Sequence, residues 1–464
     1  MQYIKRHPLI TGTIILTATG LVSRIIGFFY RIYLSRLFGE EGMGIYQLLN
    51  PVLSLSFSLT AAGYQTSISK FVAAQTAQKK VSPYKPMLVG LSISLPLSLL
   101  CTGIIFFGAE FIGTRLLLEE RTISMLRILS FSIPFGAVHA CINGYFYGMK
   151  KAGIPAVTQL MEQLARVGCV YGISSYAFTH GNTPSINVAV LGLAVGELFS
   201  MIISIISIYA CYSADRRNCS QDIGTSFPQG FSDTQYTPRL LGNMRNTLPI
   251  YASILGMALP LTANRIVLNL LQSIESVSIP ARLRLYGYDT ATSLSVYGVL
   301  TGMAMPLIFF PNALTGSIAV LLLPMISESH ALGDMKAVKA ATLRTVKYCL
   351  LLGSLCMLVF ILLGKHLGVV LFDSELAGHF ITTLGFICPF MYLDTTLSSI
   401  LQGLGLAGHI FVMNVICLVL RLLFVFLAIP HVGITGYLWG VLASQLLQSI
   451  LYLLCLYRFL HKKA

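Results

Sequence analysis

Arg24, Arg31 and Arg265 are cations set inside long apolar runs. An arginine at the centre of a membrane helix costs roughly 2.5–3.5 kcal/mol on insertion scales, so such residues face water or a partner. Guanidinium stays charged and grips phosphate or carboxylate oxygens as a two-pronged fork. The acids inside the same runs are few: Glu162, Glu197 and Asp394. Glu162 stands four residues before Arg166, a spacing that favours a local ion pair. Asp394 either bonds Arg421 or, with Glu197 and His139, offers a proton or cation site. Two readings of the arginines follow. Either they line a cationic cavity that receives an anion, with phosphate as the fitting group, or they tie helices together as buried ion pairs. The sequence has no Ser-His-Asp order, no Cys/His metal spacing and no phosphate-binding loop, so neither catalysis nor a bound cofactor or metal is expected.

The segment that must position Arg24 is the apolar run 9–37, whose midpoint lies near residue 23. Arg31 follows seven residues later, roughly 10 Å along a helix and on nearly the same face. Gly20 and Gly27 share that face. They admit close approach, either by bulky ligand or by a neighbouring helix. Tyr30 offers a hydroxyl to a sugar, or packs. Arg36 sits near the end of the run, where its stem reaches water.

The surrounding composition is that of a membrane protein. Of 464 residues, 55% are hydrophobic and 10% charged, against about 25% charged in soluble domains. Apolar runs long enough to cross a bilayer recur near 9–37, 43–73, 87–108, 123–148, 154–178, 187–212, 242–275, 291–326, 338–364, 377–402, 408–429 and 434–459. The run after "MQYIKRHP" is too long for a cleavable signal and lacks a small-residue cleavage site. An all-α polytopic protein of about twelve transmembrane helices is expected. The ten cysteines show no framework and read as small packing residues.

Connecting segments carry 18 lysines and arginines on the side of the N-terminus and 6 on the other. This places both termini in the cytoplasm of a multi-pass cell-membrane protein. The net charge of +14 is therefore an orientation signal, with anionic lipid headgroups as bulk partner and no nucleic acid. The longest polar stretch, 213–240, divides the chain into an N-terminal six-helix half (1–212) and a C-terminal one (241–464).

The halves resemble each other. "LSFSIPFGAVHACINGYFYGMKKAG" (129–153) aligns without gaps to "LGFICPFMYLDTTLSSILQGLGLAG" (384–408), and the register carries on to pair Arg166 with Arg421. A second offset pairs Pro8 with Pro249 and Arg24 with Arg265. An even number of spans per copy predicts two six-helix bundles related by a pseudo-twofold axis along the membrane normal, as in transporters.

"SRIIGFFYRIYLSRLFGEEGMGIYQLL" and "MPLIFFPNALTGSIAVLLLPMISE" (305–328) resemble the stage V sporulation protein B and polysaccharide-exporter branch of the multidrug/oligosaccharidyl-lipid/polysaccharide (MOP) flippase superfamily. The resemblance covers essentially the whole chain. It implies a MATE/MOP-like two-lobed fold and alternating-access export of undecaprenyl-diphosphate-linked saccharide, a peptidoglycan precursor or polysaccharide unit, with a coupling cation as a further expected partner. The related lipid II flippases share Ser23-Arg24, Gly27, Arg36 and Phe38-Gly39. They place a cavity arginine where Tyr30 stands and an acid where Arg31 stands, and have two further C-terminal spans. The resemblance thus carries Arg24 over as a headgroup ligand. The same superfamily also holds cation-coupled exporters of small organic molecules, which would need carboxylates in the lumen.

Overall fold

The computed structural model describes residues 8–78, 84–222 and 248–462. Among these, twelve long helical segments follow one another: α1 (Pro8–Gln47), α2 (50–78), α3 (Tyr84–Phe107), α4 (Thr122–Gly148), α5 (Gly153–Thr179), α6 (Asn187–Asp222), α7 (Leu248–Tyr286), α8 (290–331), α9 (Met335–Phe372), α10 (Glu375–Gly403), α11 (Ala407–Leu427) and α12 (Ile434–Lys462). Residues 223–240 of the polar stretch, and Lys5, Arg6, Lys79, Lys80, Arg239, Arg245 and Lys463, lie outside the described residues. Helix is the only backbone solution that satisfies every N–H and C=O within one segment in lipid. Large apolar side chains such as Phe107, Tyr209 and Leu362 are left on the outside, as a chain solvated by lipid requires.

Two of the expected runs are reshaped. The single run at 291–326 is two helices, Thr290–Phe309 and Asn312–Ala331. The break falls at Phe310-Pro311, where proline has no N–H to give the ladder. A buried π-helical turn at Val299–Ala304 precedes it. α1 is also interrupted, at Gly39, whose backbone (φ 69°, ψ −174°) is not helical. Only glycine adopts that conformation at little steric cost.

By contacts the chain forms two compact units, and it enters each more than once. One takes residues up to Ser23, Val52–Gly113 and Ile123–Ile266; the other takes Arg24–Pro51, Thr114–Thr122 and residues from Val267 onward. The first unit packs around Ile68, Val72, Cys141, Tyr145, Phe146 and Ile254. Its helices meet through small residues. A Cβ at Gly144 would stand 2.6 Å from the carbonyl oxygen of Gln65, joining α4 to α2, and one at Gly196 would stand 3.0 Å from that of Glu162, joining α6 to α5.

The second unit packs around Ile326, Val338, Leu397, Ile400, Leu401 and Tyr452. Side-chain caps start its helices: Asp289 accepts from Thr292, Asp334 from Ala337, and Ser374 from Ala377. Such caps each contribute about 1 kcal/mol. At one end of this unit Arg121 reaches Glu41 at 2.7 Å and Glu119 at 2.6 Å. Nearby, Arg36 donates to the last carbonyls of α9, Val370 and Leu371. α1 crosses α8 at Gly44, where a Cβ would lie 2.1 Å from the backbone oxygen of Leu294. We expect Gly44→Ala to cost at least about 1–3 kcal/mol through overpacking against backbone, read as a lowered melting temperature in detergent. Gly27→Ala, which meets nothing within 4 Å, is the control and should not lower it.

Candidate functional site

The face of α1 that carries Gly20, Arg24, Gly27 and Arg31 is open. Arg24 and Arg31 are exposed, and a Cβ added at Gly20 or Gly27 would find no neighbour within 4 Å. These glycines therefore do not serve as a helix-packing seam here. They leave room beside the guanidinium groups. Tyr30 turns the other way and is 6% exposed, so it is part of the core and not of this face. Arg36 is used structurally, on the carbonyls of α9.

Arg24 lies alongside α8. A Cβ at Gly316 would stand 3.7 Å from its Nη1 and 3.9 Å from its Nη2, so the guanidinium runs past a residue with no side chain to cover it. Phe28, one turn on from Arg24, packs on Phe310 at the α8 break with ring centroids 5.1 Å apart, which fixes this stretch of α1. Among the described residues neither Arg24 nor Arg265 is in an ion pair. Arg265, in α7 of the first unit, is likewise exposed.

The acids are engaged elsewhere. Glu162 accepts from Arg166 at 2.6 Å within α5. His139 Nε2 lies 2.9 Å from Glu197 Oε2. Arg421 does not take Asp394, as the sequence allowed. It takes Glu275, with Nη2 2.6 Å from Oε2 and Nε 2.5 Å from Oε1, while the Tyr437 hydroxyl donates to Oε1 at 2.8 Å. The apolar run 242–275 ends at Glu275. The helix instead continues to Tyr286, which carries Glu275 inward to 4% exposure. A cavity of about 470 Å³ sits at the other end of α1, lined by Arg36, Glu40, Val369 and Asp373 among others. It lies 12 residues beyond Arg24, roughly 18 Å along the helix.

An open, arginine-bearing helix face in an all-α membrane fold suits an anionic headgroup better than a cation. The chain matches the model of a family described as polysaccharide biosynthesis protein, over residues 9–330. It belongs to that family. Stage V sporulation protein B of Bacillus subtilis (strain 168) is 27% identical over 452 residues, covering 97% of this chain and 83% of its own length. The lipid II flippase MurJ of the same organism is 21% identical, over 96% of this chain and 81% of its own. Among solved structures, lipid II flippase MurJ in an inward closed conformation aligns with a TM-score of 0.70 at 14% identity, covering 96% of this chain and 87% of that one. An inward-facing MATE-family multidrug transporter of the MOP superfamily aligns with a TM-score of 0.67 at 16% identity, covering 97% and 98%. These likenesses give the fold of this member of the polysaccharide biosynthesis protein family: an all-α polytopic membrane protein built like those two transporters.

In this family member Asp394 has a different setting from the arginine-paired acids. It is 3% exposed, Ser449 donates to its Oδ1 at 2.6 Å, and Gln445 donates to its Oδ2 at 2.9 Å. All three side chains come from α10 and α12, so the carboxyl is a bolt between them. We expect Asp394→Ala to take this acceptor from the half-buried Gln445 amide and the buried Ser449 hydroxyl, at about 1–3 kcal/mol, visible as a lower melting temperature. Asp394→Asn should be nearly neutral, because the amide of Gln445 can turn to present its oxygen. The sequence did signal this residue through its repeat alignment with His139, but α12's contribution had no local signature.

Proposed function

We propose that this chain is a flippase that moves undecaprenyl-diphosphate-linked saccharide from the cytoplasmic to the outer leaflet of the cell membrane by alternating access. The observation that carries this is the open face of α1. Arg24 is exposed between two glycines with clear space, beside Gly316, and takes no carboxylate among the described residues. A cation held there without an anion of its own suits a ligand that brings one, and a diphosphate matches the guanidinium fork. Arg31, on the same face of α1, is a further cation for the headgroup. The polyprenyl tail stays in lipid, since moving it through a polar path would forfeit its apolar solvation.

Family membership and the likeness to stage V sporulation protein B and to the lipid II flippase MurJ support this reading. The loop charges support cytoplasmic termini, with 213–240 on the cytoplasmic side between the repeated halves 1–212 and 241–464. An inside-negative potential favours outward movement of a diphosphate, at roughly 2.3 kcal/mol per charge per 100 mV. Nucleotide hydrolysis is then not required.

The test is flipping of a fluorescent undecaprenyl-diphosphate saccharide by the purified chain in proteoliposomes, with quencher reporting the outer leaflet. We expect flipping above protein-free vesicles, and competition by unlabelled lipid diphosphate but not by a lipophilic organic cation. Uptake of the organic cation without flipping would assign the chain to small-molecule export instead.

A further inference from the structure

One side of α10 is polar and uncharged. Thr395, Ser398, Ser399 and Gln402 follow one another at helical spacing; the first three are half-buried and Gln402 is exposed. The other side of the helix is closed, with Leu397, Ile400 and Leu401 fully buried. From this geometry we infer that the polar face of α10 and Asn312 of α8 form a saccharide subsite beside Arg24. The inference rests on the flippase reading and deepens it, by giving the sugar ligands separate from those of the diphosphate.

The first argument is the character of the face. A helix side that meets lipid is apolar, as on α9, where Leu355 is 58% and Leu362 70% exposed. Between Cys388 and Gly403 of α10 no large apolar side chain is exposed. A polar stripe on a membrane helix faces the protein interior or a water-filled cavity. This stripe has no charge to hold a cation or a phosphate. The acid of the same helix, Asp394, is taken by Ser449 and Gln445 of α12. Hydroxyls and amides each donate and accept, as do the hydroxyl and acetamido groups of a sugar.

The second argument is continuity with Arg24. The half-buried Asn312 accepts at Oδ1 from the Thr315 hydroxyl at 2.5 Å and from the Thr395 hydroxyl at 3.2 Å. Both hydroxyls meet the same end of the amide, so its other end is directed away from them. Turning the amide over exchanges donor for acceptor, and either suits a sugar hydroxyl. Gly316, which the Arg24 guanidinium passes, lies one turn on from Asn312 and on the same side of α8. From Thr395 the face runs seven residues to Gln402, roughly 10 Å. It keeps beside α8 over that length, for a Cβ at Gly403 would stand 2.9 Å from the carbonyl oxygen of Leu323. A diphosphate on Arg24 thus leaves its first sugar at Asn312 and Thr395, with Ser398, Ser399 and Gln402 ahead of it.

The experiment compares two probes on the full-length chain in detergent: undecaprenyl diphosphate, and the same lipid bearing one N-acetylglucosamine. Native mass spectrometry measures the binding of each. Wild type should bind the glycosylated lipid more tightly. Asn312→Ala, and separately the double variant Ser399→Ala with Gln402→Ala, should cut that preference about 3- to 10-fold, the size of one uncharged hydrogen bond, by bringing the glycosylated lipid toward the affinity of the bare one. Arg24→Ala should weaken both lipids alike and keep the preference. The double variant removes only half-buried and exposed groups, so it decides if Asn312→Ala cannot be purified folded. Equal binding of the two lipids by wild type overturns the subsite and leaves the diphosphate reading in place. A preference that survives the α8 and α10 substitutions overturns it, as does an equal fall for both lipids. A preference lost as expected, in a protein that flips neither lipid in proteoliposomes, keeps the subsite and removes the flippase reading. Binding of neither lipid overturns both.

Discussion

Arg24→Ala should reduce flipping about 10- to 100-fold and leave the melting temperature unchanged. The size follows from charge-assisted hydrogen bonds, worth roughly 1.5–3 kcal/mol each, lost at the diphosphate. The unchanged stability follows from what Arg24 touches. It is exposed, is in no ion pair among the described residues, and passes the bare backbone of Gly316. A residue that ties helices together could not be removed so quietly. Arg24→Lys should retain part of the rate, since it keeps the charge but loses the fork. Flipping of labelled lipid by wild type and both variants, with melting curves on the same samples, checks this. A clear fall in melting temperature with flipping per folded molecule unchanged would return Arg24 to a structural role.

The opposite pattern is expected at Arg421. Its guanidinium is held by Glu275, which is itself 4% exposed and bonded by Tyr437. Arg421→Met should therefore strand a buried carboxylate and lower stability by about 3–5 kcal/mol. Glu275→Gln should be milder, because an amide still accepts from Tyr437. The informative variant is the double one, Arg421→Met with Glu275→Leu. It removes both charges, and most of the stability should return, since a well-packed apolar pair often replaces a buried ion pair at little loss. Thermal unfolding in detergent measures all three. A double variant as unstable as Arg421→Met alone would mean that the pair contributes more than mutual neutralisation.

These two arginines show what sequence reasoning reached and what it missed. Both appear as cations in apolar runs, and the expected helices appear where the apolar runs lie. Their difference depends on Glu275. Apolar length alone ended α7 near this acid, because a charge at the end of a run reads as a boundary. The helix runs on to Tyr286 and turns the acid inward. Likewise, the break at Phe310-Pro311 was marked by prolines within a run read as continuous, and proline tells where a helix can break but not whether it does. His139, Glu162 and Glu197 were each visible as intramembrane titratable residues. That they converge is set by the close crossing at Gly196, a tertiary fact with no signature in local spacing. Gly20 and Gly27 suited a ligand and a packing seam equally until the space beside them was known to be open.

Gly39 gives α1 a mechanical property. In an unbroken helix each residue's hydrogen bond locks its twist to the next, so torque applied at one end reaches the other. At Gly39 the backbone leaves that lattice, with φ of 69°. The rod bearing Arg24 is thus decoupled in torsion from the segment beyond, which is clamped to α8 at Gly44. The rotational setting of the guanidinium face, held by Phe28 on Phe310 and by Arg36 on α9, is thereby independent of the crossing that holds the far end.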